Sequence, residues 1–273
     1  MTTQAFANSK PAISLVVMTD LDGTLLDHYN YSTRAARPAL KQLKALGVPV
    51  LFNTSKTCEE VAGLRHDLDN LDPFVCENGS VIHIPKTDGE GYNSEILGTS
   101  YVDILKVLSQ LRKEGRKFRG FNDMPASEVA ALTGLSQESA WMSKQRVASE
   151  PLIWNDTELA LTAFRSQLEQ AGLQLTQGGR FYHVMGRADK ATGLAFARDF
   201  YQHLWEQPVK IAALGDGEND RAMLEAADFP IVIPGEKQIL ELSNPAAVTA
   251  PSKGPAGWNH CMLELLEQLQ QGA

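Results

Sequence analysis

The apolar run Ile13-Ser14-Leu15-Val16-Val17-Met18 opens directly into Thr19-Asp20-Leu21-Asp22-Gly23-Thr24-Leu25-Leu26. A β-rich run of this kind reads as a strand buried on both faces, the strand of a parallel sheet. Asp20 and Asp22 stand where it ends, and Gly23 lets the chain turn, since only glycine takes φ > 0 without steric cost. Open α/β sheets bind ligands beyond the carboxyl ends of their strands. Two carboxylates are thus held where such a fold does chemistry, although alone they would equally be ordinary turn residues closing a strand. A second acidic turn far along the chain shifts the balance. Lys210-Ile211-Ala212-Ala213-Leu214 is again a buried-strand pattern, and it ends in Gly215-Asp216-Gly217-Glu218-Asn219-Asp220 before a helical pattern from Arg221 to Ala227. Parallel strands can bring the two loops together. Like charges so close repel unless a cation lies between them, and oxygen-only ligands favour a hard ion such as Mg²⁺.

Between these turns the pattern alternates. A helix is expected over 33–46, a strand over 48–53, a helix over 57–68 and a short strand over 73–76. Glu77-Asn78-Gly79 ends that strand, and Ser80 to Ile84 reads as a β-ribbon. This βαβαβ order predicts a doubly wound parallel sheet. The polar, glycine-bearing stretch Pro85 to Gly91 marks a boundary. Beyond it lies a different pattern: a strand, helix 101–115, strand 118–121, helices 126–132 and 136–145, strand 151–154, helix 156–171, and strands 173–177 and 180–185. It predicts an α+β insert with its own antiparallel sheet. The expected division is a core from 1–86 and 187–273 and an insert from 87–186.

Composition narrows the partners. The formal net charge of −8 over 273 residues disfavours a nucleic-acid polyanion, which needs a basic surface. A small phosphorylated substrate needs only a local basic pocket. Cys58, Cys76 and Cys261 cannot all pair and lack metal-ligand spacing, so a reduced cytoplasmic protein is expected. No apolar run approaches the ~20 residues that span a bilayer. Residues 1–12 lack the apolar centre of a signal peptide and read as a short extension.

The early DxDGT and late GDxxND strings resemble those of haloacid dehalogenase-like (HAD) phosphatases. Two further elements fit the same family in the right order: Val50-Leu51-Phe52-Asn53-Thr54-Ser55, a strand ending in hydroxyl residues, and Lys190 in Asp189-Lys190-Ala191-Thr192-Gly193-Leu194. The resemblance spans nearly the whole chain. It implies an Asp20 nucleophile that forms an aspartyl-phosphate, Asp22 as acid and base, and Thr54 and Lys190 holding the phosphoryl group. Mg²⁺ would sit on the Asp20 carboxylate, the Asp22 carbonyl and Asp216. Asn219 and Asp220 would support that site, Asp220 by orienting Lys190 or a metal-bound water, or else by capping the following helix. The insert corresponds to the family's larger α/β cap, which closes over the site.

Within the family, Asn53-Thr54-Ser55-Lys56-Thr57, Phe121-Asn122-Asp123-Met124, Arg146 to Pro151 and Gly178-Gly179-Arg180-Phe181-Tyr182-His183 are similar to elements of mannosyl-3-phosphoglycerate phosphatases. A substrate bearing a phosphate, a carboxylate and a sugar is implied. Arg146, Arg180 and His183 are candidates for its anionic groups, and Asp123, Ser149 and Glu150 for its other polar groups. Arg180 and His183 also fit structural ion pairing or core roles within a strand. A general sugar-phosphate phosphatase, a phosphomannomutase-like enzyme and a non-catalytic binding protein on the same fold are the competing readings.

Overall fold

The computed structural model describes Pro11 and residues 13–86, 91–178, 181–236 and 239–271. The extension at 1–12, Pro11 apart, lies outside the described residues, as does Arg180. The first apolar run forms β1 (Leu15–Thr19), buried at every position. It is followed by α1 (Arg37–Ala45), β2 (Val50–Phe52), α2 (Cys58–Asp67) and β3 (Phe74–Cys76). A capping box starts α2, with the Thr57 hydroxyl accepting from the Glu60 amide while the Glu60 carboxylate accepts from the Thr57 amide. Strands β4 (Val81–Pro85) and β5 (Tyr92–Ile96) come next. The insert contains α3 (Tyr101–Lys113), β6 (Phe118–Gly120), α4 (Ala126–Thr133), α5 (Gln137–Ser143), β7 (Ser149–Trp154), α6 (Glu158–Gln170), β8 (Gln174–Gly178) and β9 (Phe181–Met185). The chain closes with α7 (Lys190–Trp205), β10 (Lys210–Gly215), α8 (Arg221–Glu225), β11 (Phe229–Val232), β12 (Val248–Thr249) and α9 (Gly254–Gln271).

The main sheet runs β12-β11-β10-β1-β2, and every pair is parallel. A single parallel bridge from Asn53 to Val75 sets β3 beside β2. From β1 the chain therefore winds outward one way through β2 and β3, then returns to lay β10, β11 and β12 on the other side. The switch point of this doubly wound order falls between β1 and β10. Thr19 lies opposite both Leu214 and Phe52, so the three strands end level with one another.

Alternate side chains of β1 serve opposite faces. Leu15 and Val17 join a core cluster with α1 and α9, while Val16 and Met18 join another with α7 and α8. This explains why the strand reads as continuously apolar. The insert has its own antiparallel sheet, β6-β7-β9-β8, with Ile104, Leu108, Phe164 and Leu168 of α3 and α6 packed on one face.

Three features differ from the sequence expectation. The strand at Tyr92 pairs antiparallel with β4 instead of joining the insert's own sheet. Strand β7 starts at Ser149, two residues early, because Ser149 pairs with Met185. Strands β11 and β12 extend the main sheet where no strand was read. No helix among the described residues is long and apolar enough to cross a membrane. All three cysteines are free.

Candidate active site

Lys190 is the first residue of α7, whose start is fixed by Asp189 accepting from the Thr192 amide. Its side chain is fully buried, and the ammonium donates to Asp20 Oδ1 at 2.5 Å and to Asp220 Oδ1 at 2.5 Å. Burial alone would lower the lysine's pKa, but these two carboxylates outweigh it and hold it raised and charged. The other oxygen of Asp220 accepts from the amides of Asp216 (3.1 Å) and Gly217 (3.0 Å), so this residue braces the loop after β10. Asp216 accepts from the Thr24 hydroxyl at 3.3 Å.

Asp20, Asp216 and Asp220 each offer an oxygen within 4.8 Å of the others. Burial pushes Asp20 well above the usual carboxylate range; Lys190 opposes this, and Asp220, Asp216 and Asp22 add to it. Burial followed by Asp220 pushes Asp216 to about 7. One ammonium thus serves a group of carboxylates that remains short of positive charge. Hard oxygen donors in that state suit a divalent cation. The Asp22 side chain is outside this cluster. Its Oδ2 pairs with Lys56 at 2.8 Å, and its buried Oδ1 has no hydrogen-bond partner among the described residues.

Thr54 is buried just after β2, with its hydroxyl accepting from the Lys56 amide at 3.2 Å. Asn53 donates its amide to the Lys190 carbonyl at 2.8 Å, tying the end of β2 to the start of α7. Asn219 donates to Asn78 Oδ1 at 3.2 Å. Thr24, Asn53, Lys56 and Glu77 carry no role of their own that the sequence motifs disclose. The signal for Asn53 and Lys56 was their place in the loop after β2, flanking Thr54.

The insert's candidates divide between two faces. Strand alternation sets Ser149 and Pro151 on one face of β7, with His183 opposite Pro151. Glu150 shares the other face with Leu152. There it accepts from the Tyr101 hydroxyl at 2.7 Å and the Asn122 amide at 2.8 Å. Burial lifts Glu150 to about 7 against both bonds. The structure therefore does not bring Glu150 together with Ser149 and His183. Asp123 is occupied locally, accepting from Arg112 at 2.5 Å and from the Gly120 amide at 2.9 Å. Arg146 is buried where the insert meets the core, donating to the Ser55 carbonyl at 2.8 Å and the Ser143 carbonyl at 2.8 Å. His183 is buried, with Nδ1 unpartnered among the described residues; burial and then Arg146 lower it to about 3.

Comparison with known proteins fits this architecture. The family model for haloacid dehalogenase-like hydrolases matches residues 17–239. A relative from Methanococcoides burtonii is 37% identical over 264 residues, covering 92% of this chain and 97% of its own. Another, from Persephonella marina, is 33% identical over 270 residues, covering 94% and 99%. Both are named glucosyl-3-phosphoglycerate/mannosyl-3-phosphoglycerate phosphatase. Among solved structures, a HAD-superfamily phosphatase from Bacteroides thetaiotaomicron superposes with a TM-score of 0.66 at 20% identity, covering 94% of this chain and 96% of that one. A haloacid dehalogenase-like hydrolase from B. subtilis gives 0.64 at 19%, covering 92% and 99%. These two likenesses concern the fold alone. With most of its length matched by the family model, and by relatives above 30% identity, the chain belongs to the haloacid dehalogenase-like hydrolases.

Proposed function

We propose that the protein is a Mg²⁺-dependent phosphomonoester hydrolase working through an aspartyl-phosphate, with mannosyl-3-phosphoglycerate as its substrate. The observation that carries this reading is the buried Lys190 ammonium shared by Asp20 and Asp220 at the switch point of the sheet. The relatives' names supply the substrate class, and glucosyl-3-phosphoglycerate enters beside the mannosyl ester for the same reason.

An Asp20 oxygen attacks phosphorus, the phosphorus–oxygen bond to glycerate breaks, and Asp22 gives its proton to the leaving oxygen. Asp22 then takes a proton from the water that hydrolyses the acyl phosphate, returning Asp20 as a carboxylate and freeing phosphate. Thr54 and Lys190 hold the equatorial oxygens. The cation would be held by the Asp20 and Asp216 carboxylates and the Asp22 carbonyl; Asp220 is in reach, but its oxygens serve Lys190 and the loop amides. Mg²⁺, when bound, offsets the negative charge gathered between these carboxylates and the phosphoryl group. We assign 1–86 and 187–273 to the core and 87–186, apart from β5 with its pairing to β4, to a cap that selects the substrate through Arg146, Ser149 and His183, with Arg180 added from its sequence setting alone. Three free cysteines fit a cytoplasmic setting.

The test is phosphate release with Mg²⁺ from mannosyl- and glucosyl-3-phosphoglycerate, 3-phosphoglycerate, hexose phosphates and an aryl phosphate. A clear preference for the glycosylated esters is expected. Equal rates on hexose phosphates would point to a general sugar phosphatase, and phosphate moved to a sugar instead of water would point to a mutase.

A further inference from the structure

The turn Glu77-Asn78-Gly79 has no part in the reaction above, yet it touches the loop after β2, Asn219 and the start of α7. Its residues hold φ of 52°, 57° and 95°. Side-chain-bearing residues keep such a backbone only where the surroundings impose it. The Glu77 amide donates to the Lys56 carbonyl at 3.0 Å, and the Asn78 amide donates to the Thr54 carbonyl at 2.8 Å. The Asn78 side chain accepts from Asn219. The backbone at Gly79 lies against Asp189, the residue before Lys190, where a Cβ would come within 1.8 Å of the Asp189 carbonyl oxygen.

The Glu77 side chain reaches into the insert. It is 1% exposed; Oε1 accepts from the Val147 amide at 2.9 Å, and Oε2 accepts from the Ala148 amide at 3.1 Å and the Ser149 hydroxyl at 2.6 Å. These donors stand at the entry to β7, directly after Arg146, which itself donates to Ser55 in the loop after β2. Two adjacent amides and a hydroxyl converging on one point call for an acceptor with several lone pairs and no hydrogen to offer, which is a carboxylate.

We propose that Glu77 is a positioning residue: a buried carboxylate clamp that fixes the entry of β7, and with it Arg146 and the substrate-facing side of the cap, onto the phosphate-binding loop. The assignment rests on reading the insert as a substrate cap. Substrate contacts made by the cap are registered to the reacting phosphate through this one side chain, while a small ester that leaves the cap unused does not depend on it.

Glu77→Gln keeps the shape but turns an NH₂ group toward donors. The kcat/KM for mannosyl-3-phosphoglycerate should fall on the order of 10-fold or more, while that for an aryl phosphate stays nearly unchanged. Hydrogen exchange at the Val147 and Ala148 amides should speed up with little change in melting temperature. Equal loss on both substrates, no loss on either, or unaltered exchange would overturn the proposal. Glu77→Asp, one methylene shorter, is run in parallel in case Glu77→Gln does not fold. The wild-type protein gives an independent check: the two amides should exchange as slowly as the ladder amides of β7, and exchange at loop rates would also overturn the clamp. If wild-type protein hydrolyses the aryl ester but no glycosylated phosphoglycerate, the substrate reading fails and the exchange data alone decide on Glu77.

Discussion

Lys190 is fully buried, so its charge depends on Asp20 and Asp220. Removing a member of such a group has effects that can be ordered in advance. Asp20→Asn retains volume and a hydrogen-bond acceptor but supplies no nucleophile; turnover should fall by about 10³-fold or more while the melting curve stays cooperative. Phosphate release from a protein of verified sequence checks this. Asp216→Ala should act on the cation instead. The half-saturating Mg²⁺ concentration should rise at least ~10-fold, the lower end of what losing even an outer partner of a metal ligand costs; an unchanged activation curve would remove Asp216 from the ion. The sign of the pH effect follows from the raised carboxylates. Asp216 holds its proton up to about 7 in the folded chain but only to the usual carboxylate range when unfolded. The folded state binds more protons in that window, so metal-free protein should lose stability as pH rises from about 4 to 7. Mg²⁺ must displace that proton, so it should raise the melting temperature more at pH 7.5 than at pH 5. Scans in chelator and in Mg²⁺ at both values test the pair of statements.

At the level of elements, the turn after β3 makes the sharpest demand on a single residue. Gly79→Ala would add an atom where the Asp189 carbonyl already stands, at a φ that alanine resists. The expected cost is at least about 1–3 kcal/mol, read as a lower urea midpoint, with activity reduced because the start of α7 carries Lys190. What the sequence could tell follows the range of the interactions. The ends of β1, β2 and β10 were legible because each couples a local apolar run to a turn, and the parallel sheet then aligns them. The partner of Tyr92–Ile96 was not, since pairing with β4 or with the insert's sheet is a choice between distant edges. Strands β11 and β12 were missed because Phe229–Val232 and Val248–Thr249 are short and become strands only by pairing, β11 beside β10 and β12 beside β11. Glu150 is a substrate candidate by the resemblance of the element from Arg146 to Pro151, which carries no information on strand faces. Counting alternation back from Leu152 would have placed Glu150 on the face opposite Ser149, toward Tyr101. Nothing local marked Glu77, whose partners lie some seventy residues away.

Taken as a whole, the proposed function divides labour between a site on the main sheet and selection by the insert. Arg180, assigned to the substrate's non-reacting anionic end from its sequence setting, offers a measure of that division. Arg180→Ala should lose kcat/KM on mannosyl-3-phosphoglycerate by roughly 10- to 100-fold, the equivalent of one charge-assisted contact, and far less on an aryl phosphate. Equal losses would assign it to the fold or to the chemistry in general. The parallel pairing of β1 with β10, Leu15 opposite Lys210, also bears on how the chain is made. During synthesis β1 emerges early, with one edge lacking its partner while the whole insert is produced. At ~5–20 residues per second the nascent chain carries that open apolar edge for roughly 10 s or longer. The insert, whose cluster from Ile104 to Val184 draws only on its own residues, can condense during this wait. Birth order thus runs opposite to the proposed chemistry: the insert is assembled first, and the edge beside Asp20 closes only when β10 leaves the ribosome.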